Sequence, residues 1–145
     1  MKEQQKFVVV SAPNKAGKRF LHLLMIMDIP FAVLVNSSAE YKRMKELGFT
    51  TILKINTFDH YEWLTPDFPI GNVYLFERSL PLCCRYLLMC RKWTKSPIHI
   101  ISNGLMPRMI YRGLGANEII LSSNDNVSFL LDSLHDIGCI GNSKT

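Results

Sequence analysis

Apolar residues fall along this chain in two alternating rhythms. Phe7-Val8-Val9-Val10 is continuously apolar, the pattern of a strand covered on both faces. Pro13-Asn14 breaks that run, and from Lys15 to Met27 the apolar positions Phe20, Leu23, Leu24 and Met27 recur with helical spacing. Asp28-Ile29-Pro30 ends the helix, and Phe31 to Val35 reads as a second buried strand. Ser37 or Ser38 caps a helix over Ala39 to Leu47, and Gly48 stops it where glycine is favoured. Thr51 to Ile55 is the third strand.

The second half repeats the rhythm with a longer connection, in which His60 to Leu64 forms a short helical turn and Pro66 and Pro69 mark a loop. Asn72 to Phe76 is strand four. Ser79 caps the next helix, Pro81 sits in its first turn where a missing N–H costs little, and the helix runs to Trp93. Ile98 to Ile101 is strand five, Met106 to Arg112 a helix closed by Gly113 or Gly115, and Glu118 to Leu121 strand six. A last helix covers Val127 to Leu134, and the polar tail Gly141 to Thr145 frays. Six strands alternating with helices predict a mostly parallel six-stranded sheet, doubly wound, with helices on both faces. No linker, repeat or low-complexity stretch divides the chain, so residues 1–145 are expected to form one α/β domain.

Composition narrows the function classes. With 48% hydrophobic and 20% charged residues in 145, disorder, collagen and coiled coil are excluded. Seventeen Lys and Arg against twelve Asp and Glu leave +5, enough to welcome an anion. The densest basic run, Arg78 to Lys95, lacks the aromatic interleaving of a single-strand binder, so nucleic acid is not the expected partner. No stretch approaches the ~20 apolar residues that cross a bilayer, and no secretory signal opens the chain. Insertion in a membrane is not expected, and four cysteines without such a signal point to reduced thiols in the cytoplasm. Cys83, Leu87 and Cys90 share one helix face and read as core packing rather than zinc ligands.

Ligands of such sheets bind outside the carboxyl ends of the strands, so the turns after the strands are the informative positions. The first runs Ser11-Ala12-Pro13-Asn14-Lys15-Ala16-Gly17, where a dinucleotide turn would read G-x-G-x-x-G. Only Gly17 stands near a glycine position, while Lys15, Lys18 and Arg19 keep the turn electropositive. A plain strand-to-helix connection is the open alternative. After strand two, where NAD needs a carboxylate for its ribose, the chain has Asn36-Ser37-Ser38. An amide and two hydroxyls tolerate a 2′-phosphate better, although a helix cap alone also explains the serines. After strand three, Asn56 and Thr57 are polar enough to meet an adenine edge.

Strand one, the turn ending in Gly17, and Ala39-Glu40-Tyr41-Lys42-Arg43-Met44-Lys45-Glu46-Leu47-Gly48-Phe49 resemble the nucleotide-binding TrkA-N, or RCK N-terminal, domains of potassium-transport regulators. Ile55-Asn56-Thr57-Phe58-Asp59 sits in register with that family's G-D-A-T-D segment, and Tyr111 to Ile120 is similar to its l-G-A-d-x-V-I before strand six. The resemblance spans nearly the whole chain and implies a Rossmann-like fold with an NAD(P) site. Two of the three glycines are replaced, Asn36 stands at the ribose acid, and Asn56 stands at the strand-three Asp. The site is therefore expected to be degenerate, binding NADP or an adenine nucleotide weakly, or nothing. The family's second, ligand-binding domain is expected to be absent.

The resulting expectation is a non-catalytic, nucleotide-binding or regulatory module that acts through contact with a protein partner or as a homodimer. Val127, Leu130, Leu131 and Leu134 form an apolar stripe that either packs on its own sheet or meets a second copy. The alternative is a small NADP-dependent oxidoreductase with Ser37, Ser38 and Lys15 or Arg19 on the 2′-phosphate. No Ser-His-Asp order, Walker loop or H-E-x-x-H motif supplies another chemistry.

Overall fold

The computed structural model describes residues 5–56, 65–102, 108–122 and 127–131. Within them, β-branched runs become strands and the helical-period stretches cross between them. The elements are β1 (Phe7–Ser11), α1 (Lys15–Ile26), β2 (Phe31–Val35), α2 (Ser38–Glu46), β3 (Ile52–Lys54), β4 (Ile70–Phe76), α3 (Leu80–Trp93), β5 (Ile98–Ser102), α4 (Arg108–Gly113) and β6 (Glu118–Leu121). A 3-10 turn, Ser128–Leu130, follows.

The strands form one six-stranded sheet in the order β3-β2-β1-β4-β5-β6. Every pairing is parallel, so the doubly wound architecture expected from the alternation is the one observed. The order reverses between β1 and β4, which places the switch-point crevice beside the first turn. Ile52, Val33, Val10, Tyr74, His99 and Glu118 lie in one row across all six strands.

Each face of the sheet carries its own core. α1 and α2 cover one face with Phe20, Leu21, Leu24 and Met44 against Val10, Val33, Tyr74 and Phe76. α3 and α4 cover the other, with Tyr86, Leu87, Cys90 and Tyr111 against Val9, Leu75 and Ile100. The chain returns to the first face after β6, where Val127 and Leu130 are buried and Leu131 packs beside them. This part of the apolar stripe packs on the chain's own sheet, the first of its two expected readings. Leu134 lies outside the described residues.

One arginine fastens the far side of the sheet. Arg91, on the last turn of α3, donates to the carbonyls of Thr94 at 2.8 Å, Ser96 at 2.7 Å and Gly115 at 2.7 Å. It also donates to Asn117 Oδ1 at 3.0 Å, which in turn accepts the Ile98 N–H at 2.8 Å. Gly115 has φ +114°, and a side chain there would meet Arg91 Cδ at 2.5 Å, so glycine is required on both counts. The basic run read from the sequence thus contains a structural clamp.

Most boundaries agree with the hydrophobic pattern. β3 is shorter than Thr51 to Ile55, yet those flanking residues still pair: Val33 N–H donates to the Thr51 carbonyl at 2.9 Å and Ile55 N–H to the Val35 carbonyl at 2.8 Å. β4 starts at Ile70, two residues before the expected Asn72. Of the helix expected over Val127 to Leu134, the described residues show a 3-10 turn, Ser128–Leu130, that leads into a helical Leu131, and the rest lies outside them. The expected turn at His60 to Leu64, the start of the helix at Met106, and the tail Gly141 to Thr145 lie outside the described residues.

Candidate functional site

The first turn leaves β1 through Ser11 and Ala12, both buried, and enters α1 at Asn14. Asn14 has extended backbone (φ −126°, ψ 179°), and its Oδ1 accepts the Gly17 N–H at 2.8 Å, an N-cap. Its Nδ2 donates to the Glu77 carbonyl at 3.3 Å. One amide therefore closes the helix start and reaches across from the end of β1 to the end of β4. Gly17 is buried, and a Cβ built there would lie 2.7 Å from Ala12 Cα and 3.2 Å from Phe76 Cγ. Its bare backbone lets α1 approach the sheet, and its N–H is already paired with Asn14.

Cations gather around this turn. Lys15 and Arg19 are exposed, while Lys18 is half-buried with Nζ 3.4 Å from the Ala12 carbonyl. Burial lowers the Lys18 pKa; Glu40 opposes that shift, and Arg43 and Arg78 add to it. α1, α2 and the segment after β4 thus converge on one electropositive corner at the strand ends.

The second turn is organised as a helix start. Ser37 is the N-cap of α2, accepting the Glu40 N–H at 3.2 Å, while Glu40 Oε1 accepts the Asn36 N–H at 3.5 Å. Ser38 Oγ accepts from Lys54 Nζ at 2.7 Å. Asn36, Ser37 and Ser38 are all exposed, and both hydroxyls are engaged within the chain. Asn56 is exposed just after β3, and Thr57 lies outside the described residues.

The structure adds a group that local patterning did not single out. Glu77 follows β4 and is only 8% exposed. Ser102 Oγ, at the end of β5, donates to its Oε1 at 2.6 Å, and the Tyr111 hydroxyl of α4 donates to Oε2. A buried carboxylate with donors on both oxygens is a stable arrangement. It holds α4 against the carboxyl ends of β4 and β5. Burial raises the Tyr111 pKa, and the bond to Glu77 adds to it. Burial likewise pushes the neighbouring Cys83 thiol up to about 12. The only sequence signal was a charged residue directly after an apolar strand.

Two surface clefts, of about 320 and 260 Å³, lie at the opposite, amino end of the sheet and share Gln5 and Phe7. Neither reaches the turns just described. Among the described residues no group of three His, Cys, Asp or Glu could hold a metal, and no helix is long and apolar enough to cross a membrane.

No protein-family model matches the chain, and no curated protein matches its sequence. Solved structures do match its shape. The TrkA-N domain of the inner membrane protein ybaL from Escherichia coli superposes with a TM-score of 0.64 at 13% identity, over 92% of this chain and 99% of that one. The NAD(P)-binding domain of an exopolyphosphatase-related protein from Archaeoglobus fulgidus gives 0.64 at 14% identity, over 92% and 99%. The GsuK channel bound to NAD gives 0.67 at 12% identity, over 83% of this chain and 22% of the channel chain. The chain has the Rossmann-like fold of the TrkA-N and RCK domains.

Proposed function

We propose that residues 1–145 form a single, non-catalytic regulatory module with a degenerate dinucleotide site, acting through contact with another protein or a second copy of itself. The observation that carries this reading is the Asn14 side chain, which occupies the Gly17 N–H and bridges to the Glu77 carbonyl across the switch point. A pyrophosphate needs bare backbone and free N–H groups in that place. Structures of the same fold hold NAD and ADP, which makes a nucleotide the natural ligand class to test. Lys18, Arg43 and Arg78 favour an anion, so NADP or an adenine nucleotide binds weakly if it binds at all.

The oxidoreductase alternative has less behind it. Ser37 and Ser38 are engaged with Glu40 N–H and Lys54. The Tyr111 hydroxyl, beside the ends of β4 and β5, is buried, donates to Glu77, and is harder to ionise than an ordinary tyrosine. Calorimetry with NAD, NADP, ADP and ATP tests the proposal. The expected result is a dissociation constant for NAD weaker than about 100 μM, with any response confined to NADP or the adenine nucleotides. A ligand at 100 times its dissociation constant would add about 2.7 kcal/mol of stability, so a thermal-shift series gives an independent reading. A low-micromolar constant for NAD refutes the degenerate site.

A further inference from the structure

β4 carries one residue more than β1 between the Phe7–Ile70 and Val9–Val73 pairings, and this bulge falls on Gly71-Asn72. Bulges re-aim a side chain and gather beside functional sites. Ile70 and Val73 both join the core under α3, whereas Asn72 meets Tyr74 and His99. Asn72 is fully buried, with Nδ2 3.4 Å from His99 Nε2 and 3.4 Å from the Tyr74 hydroxyl. Its Oδ1 is buried and has no hydrogen-bond partner among the described residues. A buried carbonyl oxygen without a donor is costly, and native structures keep few of them.

His99 faces this amide from β5. It is 6% exposed, its ring stacks on Tyr74 at 4.6 Å and 15°, and its Nδ1 lies 2.7 Å from Glu118 Oε1. The Glu118 side chain is 53% exposed, so its carboxylate leads from solvent to the ring. With a carboxylate on Nδ1, that nitrogen carries the hydrogen and Nε2 offers a lone pair. The Asn72 amide must then turn its NH₂ toward His99, which strands Oδ1.

The geometry points to a proton-binding site at His99, filled on mild acidification and held between the Glu118 carboxylate and the Asn72 carbonyl. A proton added at Nε2 becomes a donor facing a donor. A half-turn of the Asn72 amide replaces the NH₂ with Oδ1, which gains the donor it lacks. Both N–H groups of the imidazolium are then accepted, and the cation lies against the Tyr74 ring, where it is favoured. Among the described residues, the groups facing the ring are Asn72 and Tyr74 from β4 and Glu118 from β6. Of these, Glu118 carries a charge. Burial pulls the proton affinity of His99 below the usual histidine value and Glu118 offsets part of that, so the site is empty at neutral pH. The Tyr74 hydroxyl donates to the Leu130 carbonyl at 3.5 Å, so loss of the Asn72–Tyr74 contact is transmitted to the segment covering this face.

Histidine-ring and side-chain amide NMR on the full chain, titrated from about pH 8 to about pH 4.5, tests the site. At the alkaline end His99 should be the Nδ1–H tautomer. On acidification it should titrate below the ordinary histidine value, and the Asn72 amide resonances should move with the same midpoint. Asn72→Leu removes the acceptor at Nε2 and Glu118→Gln removes the negative charge at Nδ1, and each should weaken proton binding about tenfold, one pH unit. A His99 that stays neutral throughout, an Asn72 amide that does not follow it, or an unchanged midpoint in either variant overturns the assignment.

Discussion

Gly17→Ala separates a packing glycine from a ligand-approach glycine. The added Cβ would lie 2.7 Å from Ala12 Cα and 2.9 Å from Ala12 Cβ. The first of these is backbone in a strand-end turn and cannot swing away. Overpacking of this kind costs about 1–3 kcal/mol, and contact with backbone belongs at the upper end. Alanine returns about 1 kcal/mol of helix propensity, which leaves a net loss of about 2 kcal/mol. For a chain of this size that corresponds to about 6 °C in melting temperature. Gly113→Ala is the control, because nothing lies within 4 Å of its Cβ position and it gains up to about 1 kcal/mol. Urea denaturation followed by circular dichroism, in ligand-free buffer, reads both. If Gly17→Ala unfolds at the wild-type midpoint, α1 does not depend on this close approach, and the glycine serves a ligand instead.

Asn14→Ala removes the cap on Gly17 and the link to Glu77, and should cost about 1–2 kcal/mol in the same denaturation assay; Asn14→Asp keeps the cap and should recover most of it. Arg91→Lys keeps the charge but loses the planar fork that reaches three carbonyls and the Asn117 amide, and should lower stability by about 2–4 kcal/mol. Thiol labelling of the native chain near pH 8 should proceed at Cys84 well before Cys83 and Cys90. Burial pushes Cys83 up to about 12 and Cys90 further, leaving roughly one thiolate in ten thousand at Cys83. Labelling of Cys90 at the rate of Cys84 would contradict its burial.

The fold was legible because its information is local. Phe31 to Val35 and Glu118 to Leu121 are strands at the expected residues, and Ser79 and Ser37 cap the helices that their positions suggested. β4 was read two residues short because Ile70 follows a proline and a bulge falls on Gly71-Asn72, and neither leaves a periodic trace. The candidate site was legible in place but not in content. The first turn lies at the switch point as expected, yet Asn14 looked like a turn residue, and its bond to Glu77 spans 63 positions. Ser102 and Tyr111 reach the same carboxylate across 25 and 34 positions. Arg91 was indistinguishable from its basic neighbours, since its four acceptors are chosen by the path of the chain after α3. Convergence of distant residues belongs to topology, and hydrophobic periodicity carries none of it.

The two outermost strands bear on how the chain behaves when concentrated. β3 has three residues and β6 four, and among the described residues each has a strand partner on one side only. Such edges invite pairing with another molecule unless something blocks it. Lys54 stands exposed on β3, tied to Ser38, and Glu118 stands exposed on β6. Brevity and one charge per edge are the protection. On β6 that protection is thin, because Ile119 and Ile120 are only half-buried and Leu121 is 44% exposed. Glu118 thus serves as gatekeeper as well as hydrogen-bond partner of His99, and Glu118→Gln, which removes its charge, also uncovers a β-template, so strand-to-strand aggregation should begin at β6 rather than β3.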